Sequence, residues 1–110
     1  MTSQLKLQEQ DVWEAWIEFD QYHAESFGVL YISGEFAAIP GSSVRIQTKT
    51  VDTEYGTQLL LQLPSRPVGR SRMKELFYSE PIKHPGQYDS ICVYAGASLL
   101  TRFSQIETLV

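Results

Sequence analysis

The 110-residue sequence predicts an all-β chain, a two-sheet antiparallel β-sandwich of about seven strands. Three observations carry that prediction. From Gly28 onward, apolar residues recur at every second position, which is the period of a strand. Gly- and Pro-containing turns interrupt the alternation along the chain. Finally, Pro40-Gly41 and Pro85-Gly86 spell type II turns, which fit poorly in two-residue hairpins and suit connections from one sheet to another.

Taken in order, residues 1–8 are expected to be a flexible or loosely attached N-terminus. The segment that follows has two readings. As a strand, Val12–Phe19 puts Trp13, Ala15, Ile17 and Phe19 on one face and Glu14 and Glu18 on the other, with Trp16 on the polar side. As a helix over about residues 9–27, Glu14, Glu18, Gln21 and Glu25 line one face, and Gly28 supplies the stop. That alternative makes the fold α+β, with the helix packed on an antiparallel sheet. The strand is preferred because the remainder is β.

Leu30, Ile32, Gly34, Phe36 and Ala38 share one face of the next strand, and Ser33 and Glu35 share the other. Val44 and Ile46 alternate with Arg45 and Gln47 as a half-buried strand. Leu59, Leu61 and Leu63 alternate with Gln58 and Gln62, and Asp52–Gly56 is a loop of hairpin length between these runs. Met73–Glu80 and the β-branched, aromatic Tyr88–Ala95 read as further strands. In Ala97–Val110 the apolar phase changes from Leu99 and Phe103 to Ile106 and Val110, which predicts a bulge near Ser104.

Gly86-x-Tyr88 at a corner, a strand, and a hairpin at Ala95-Gly96-Ala97 together resemble the tyrosine corner and last two strands of immunoglobulin-like sandwiches. The resemblance covers about a quarter of the chain. It lacks the paired cysteines of antibody domains, and it implies architecture without implying function.

Length fits a single domain over residues 1–110. No apolar run approaches the roughly 20 residues of a membrane span, and the first residues lack a secretory pattern. One cysteine precludes an internal disulfide, and a chain without Asn has no glycosylation sequon. A cytoplasmic location is therefore expected. The net charge of −4 is uneven: residues 1–35 hold seven acids against Lys6 alone, and residues 36–110 hold six acids against eight bases. That balance argues against nucleic acid as a partner.

The concentrated chemistry lies in Ser65–Lys74, where Arg66, Arg70, Arg72 and Lys74 fall within nine positions. Guanidinium forks suit phosphate and carboxylate, so this is a candidate anion site, although a wet loop that discourages edge pairing has the same composition. His23-Ala24-Glu25 matches half of a zinc deaminase motif, but the other half needs two cysteines and only Cys92 exists. His23 and His84 lack metal-ligand spacing, and no metal or other cofactor is expected. Cys92 sits mid-strand, where a thiol packs as a small hydrophobe. No phosphate loop, nucleophile elbow or paired-carboxylate frame appears, so the chain is not expected to be an enzyme.

Alternation leaves Trp16, Tyr31 and Leu60 on the polar sides of their strands, and apolar residues so placed mark partner interfaces. The expected function is a non-enzymatic module for protein–protein interaction or self-association, steered by the acidic N-terminal part and the basic loop. A binding domain for a small anion or phosphate at residues 66–74 is the alternative.

Overall fold

The structure, a computed structural model, describes residues 12–19 and 27–109. Among these residues there are eight strands and no helix: β1 (Glu14–Phe19), β2 (Gly28–Ala38), β3 (Gln47–Thr53), β4 (Gly56–Leu63), β5 (Arg72–Ile82), β6 (Ser90–Ala95), β7 (Ser98–Phe103) and β8 (Glu107–Leu109). They form two four-stranded sheets, ordered β5-β2-β1-β8 and β3-β4-β6-β7, consistent with a β-sandwich. The chain divides into two compact units, one from Met1–Phe36, Glu75–Pro85 and Ile106–Val110, the other from Ala37–Lys74 and Gly86–Gln105.

In the first unit, β1 pairs antiparallel with β2 and sets Trp16 opposite Tyr31 and Ile17 opposite Leu30. Residues 14–19 are therefore strand, as the preferred reading has it, and the helical alternative is overturned there; residues 20–26 and 1–11, with the N-terminal segment expected to be loosely attached, lie outside the described residues. The decisive feature is tertiary. Ile17, Leu30 and Ile32 are almost fully buried on one side of the ladder, a period-two arrangement that a helix face cannot supply. Each such side chain contributes roughly 1.5–3 kcal/mol by leaving water. Gly34 continues the buried side of β2, and the Trp13 indole lies directly against its Cα, in the space that any Cβ would occupy. Phe27 N–H donates to Ile82 O at 2.8 Å beside the start of β2, and the Phe19 and Phe27 rings meet edge-on at 5.2 Å.

In the second unit, Leu59, Leu61 and Leu63 of β4 stand in register with Ile91, Val93 and Ala95 of β6, and all six are buried. This pair runs parallel, as does β1 with β8, whereas β1–β2, β3–β4 and β6–β7 are antiparallel. The two parallel pairs correct the expectation of a wholly antiparallel arrangement. Asp89 N–H donates to Thr57 O at 2.7 Å and Gly96 N–H to Leu63 O at 3.1 Å, fastening both ends of the β4–β6 pair. Gln62 Nε2 adds bonds to Leu63 O at 3.1 Å and Gly96 O at 2.8 Å.

The turns bear out some expectations and correct others. Ser42 N–H donates to Ile39 O at 3.1 Å across Pro40-Gly41, with Gly41 at φ 76°, so this is a type II turn on the way from β2 to β3. Gly86 does not take positive φ, so Pro85-Gly86 is not one. Residues 43–46 are irregular, and the strand expected from Val44 begins only at Gln47. The phase change near Ser104 is a break rather than a bulge: β7 ends at Phe103, and β8 belongs to the other sheet. The bulge lies instead between β6 and β7, where Val93 pairs with Thr101 and Tyr94 with Leu99, leaving Leu100 as the extra residue.

Candidate interaction surface

Three aromatic residues form a row across neighbouring strands of the first unit. The Trp16 and Tyr31 rings, directly opposite in the β1–β2 ladder, stack with centroids 5.4 Å apart and planes inclined by 20°. Tyr31 in turn lies 5.7 Å from Phe77 on β5, at 46°. Phe77 is 62% exposed, and Trp16 and Tyr31 are half-buried. Alternation explains the placement. Ile17, Leu30, Ile32 and Leu76 occupy the buried positions, so their neighbours Trp16, Tyr31 and Phe77 face solvent. Trp16, out of place by hydropathy, is accounted for by the flat partner that the ladder supplies at Tyr31.

Carboxylates border this row. Glu14 and Glu18 flank Trp16 at two-residue spacing, Glu75 stands two residues before Phe77, and Glu107 is paired with Trp16 from β8. Glu35 follows Tyr31 on the same side of β2, and all five acids are exposed. At one end of the row a hollow of about 420 Å³ opens between Val12, Ser33, Glu35, Glu75 and Phe77. No Lys or Arg occupies an alternate position on this side of β1, the 28–36 part of β2, the 75–82 part of β5, or β8. The surface is therefore an apolar, π-rich strip inside an anionic frame, which is suited to a partner that brings apolar and cationic groups together.

Trp16 and Tyr31, expected as interface residues, are thus in contact. Leu60, expected with them, belongs to the second unit, where it is half-buried in β4 between Lys49 and Cys92. Phe77 completes the row and was not singled out by the sequence. Its signal was present in Glu75-x-Phe77, which alternates with buried Leu76.

Arg66, Arg70, Arg72 and Lys74 are all exposed in the second unit, but they fall into two pairs. Arg72 and Lys74 border a pocket of about 350 Å³ beside the Ile39–Ser42 turn, and Lys74 Nζ donates to Ser42 O at 2.6 Å. Arg66 and Arg70 instead flank Val68 and Gly69 in the loop between β4 and β5. Val68 is fully solvent-exposed there, and Gly69 takes φ 99°.

Cys92 is buried in β6, its place as a packing residue, and His84 is exposed. No group of three metal-ligating side chains converges among the described residues. His23 and Glu25 lie outside them. No helix among the described residues is long and apolar enough to cross a membrane. The chain matches no protein family model, no curated protein and no solved structure.

Proposed function

We propose that this chain is a non-enzymatic protein-binding module and that its contact surface is the Phe77–Tyr31–Trp16 row. The single observation that carries this reading is the continuity of the row. Three aromatic side chains on three adjacent strands present one solvent-facing strip, held by mutual ring contacts. Aromatic side chains concentrate binding energy at interfaces because they bury a large area at small entropic cost. A free, buried Cys92 as the only cysteine suits a reducing compartment such as the cytoplasm. The corner at Gly86-x-Tyr88 remains an architectural resemblance to immunoglobulin-like sandwiches and adds nothing to the functional reading.

An array of immobilised random peptides tests the reading. The wild-type chain is expected to select a set of peptides enriched in Lys, Arg and apolar residues, and the W16S/F77S variant is expected to lose that set. Equal binding by both proteins would overturn the assignment.

A second reading is favoured by the pocket beside Arg72 and Lys74, which suits a small anion or phosphate group, with Arg66 and Arg70 contributing to the field. Lys74 already donates to Ser42 O, which leaves Arg72 as the principal fork. Phosphate or a nucleotide should then raise the melting temperature of the wild type and leave R72A unshifted.

A further inference from the structure

The charges of the two units are opposite. The segments that make up the first unit carry ten acids and two bases, net −8. Those of the second carry three acids and seven bases, net +4, and together they give the chain's −4. The excess in the first unit includes the five carboxylates around the aromatic row. The excess in the second is concentrated in the stretch from Ser65 to Lys74, which contains four bases and no acid.

We infer that the occupant of the aromatic row is the basic β4–β5 loop of a second copy of this chain, so that copies associate head to tail. This rests on the reading of the row as a protein-binding surface and names its partner. The two halves match in chemistry and in order. Glu14, Trp16 and Glu18 alternate acid, aromatic, acid at every second residue of β1. Arg66, Val68 and Arg70 alternate cation, aliphatic, cation at the same spacing in the loop, and Val68 is fully exposed. An isopropyl group over the aromatic strip with guanidinium groups reaching the flanking carboxylates satisfies both at once. Arg also stacks on aromatic faces, so either Arg66 or Arg70 can cover Tyr31 or Phe77 while paired to Glu75 or Glu35.

Charge also decides the symmetry. A face-to-face dimer of two aromatic rows would bring two sets of five carboxylates together, and like charges in juxtaposition oppose such a complex. Loop-to-row contact is heterologous, because each copy uses one surface as donor and another as acceptor. Such contacts either close on themselves, as a reciprocal pair or a ring, or leave an unused surface at each end and continue as a chain.

Sedimentation velocity on the full chain tests this, using wild type, R66E/R70E and E14K/E75K over a concentration series at about 0.01 M and about 1 M salt, where the Debye length falls from roughly 30 to 3 Å. All four substituted residues are exposed, so the fold should survive; superimposable circular dichroism spectra and melts will verify it. Wild type is expected to self-associate at low salt, with a dissociation constant at least tenfold higher at high salt. Each variant alone should be monomeric. An equimolar mixture of the two variants should associate again, because the intact loop of one meets the intact row of the other and the reversed loop meets the reversed row. Monomeric wild type at low salt, or a mixture that does not pair, would overturn the inference. So would association that strengthens with salt, the signature of face-to-face contact between the acidic surfaces. If wild type is monomeric and the peptide array still shows binding that depends on Trp16 and Phe77, self-association alone is wrong. If both signals are absent, the reading of the row fails with it.

Discussion

The indole of Trp16 and the phenol ring of Tyr31 stack at 5.4 Å across the β1–β2 ladder, one directly opposite the other. A residue that breaks the polar pattern of its own strand is thereby matched by its neighbour's. The pair should be energetically coupled. In a double-mutant cycle of W16A, Y31A and both, urea unfolding is expected to give a coupling of about 0.5–1.5 kcal/mol. Additive single effects would mean that the rings do not interact.

Gly34 is required by Trp13 rather than by backbone conformation, since its φ is not positive. The G34A substitution drives a methyl group into the indole and is expected to cost about 1–3 kcal/mol. Tryptophan emission should shift to the red as the ring is displaced. In a W13A background the same substitution should be nearly neutral, and a full penalty there would show that Trp13 is not the obstacle.

Gln62 uses its amide N–H groups to hold two carbonyls, Leu63 O and Gly96 O, where the β4–β6 pair ends. Replacement by Glu aims an acceptor at acceptors, so the carboxyl is favoured in its protonated form and its folded-state pKa rises above the ordinary value near 4.3. A raised pKa means that stability is retained below about pH 4 and lost as pH increases through the folded-state pKa. Q62E should therefore lie about 1 kcal/mol below wild type in acid, where its carboxyl can donate to only one of the two carbonyls, and fall about a further 1–3 kcal/mol at neutral pH. Thermal melts of both proteins at the two pH values will measure the difference, and a pH-independent gap would argue against these hydrogen bonds.

Leu60 and Leu61 are adjacent, yet only Leu61 is fully buried, 0% exposed between Thr48 and Val93 in the ladder. L61A is expected to cost about 2–5 kcal/mol by leaving a cavity. L60A should cost less than half as much. A larger loss for L60A than for L61A in chemical denaturation would mean that the β4 register is shifted by one residue, and equal losses that both faces of β4 are covered.

Much of this architecture was legible where local chemistry decides it. Leu59, Leu61 and Leu63 announce a buried strand face by period alone, and Pro40-Gly41 announces its turn because only Gly accepts the required φ cheaply. Pairing partners are not local. Nothing in Gln58–Leu63 specifies that Ser90–Ala95 will lie beside it in parallel, because register is chosen by which apolar faces meet after the chain has folded back. The same limit concealed the break at residues 104–106: an altered apolar phase signals a bulge and a change of sheet equally well. For the surface, Trp16 and Tyr31 stood out as misfits in polar positions, but Phe77 sits in a run of three apolar residues, where alternation is masked by its neighbours.

The pairing of Trp16–Glu18 with Glu107–Leu109 has a consequence for how the protein is made. On the ribosome, β1 and β2 emerge early and can join at once, but the other flank of β1 waits until nearly the whole described chain has been translated. Throughout that interval an open hydrogen-bonding edge carries Trp16 at its centre, which is the condition that invites mispairing in crowded surroundings. Slowing translation over residues 90–107 should therefore lower the yield of soluble protein more than the same delay placed over residues 1–13, before β1 has been made.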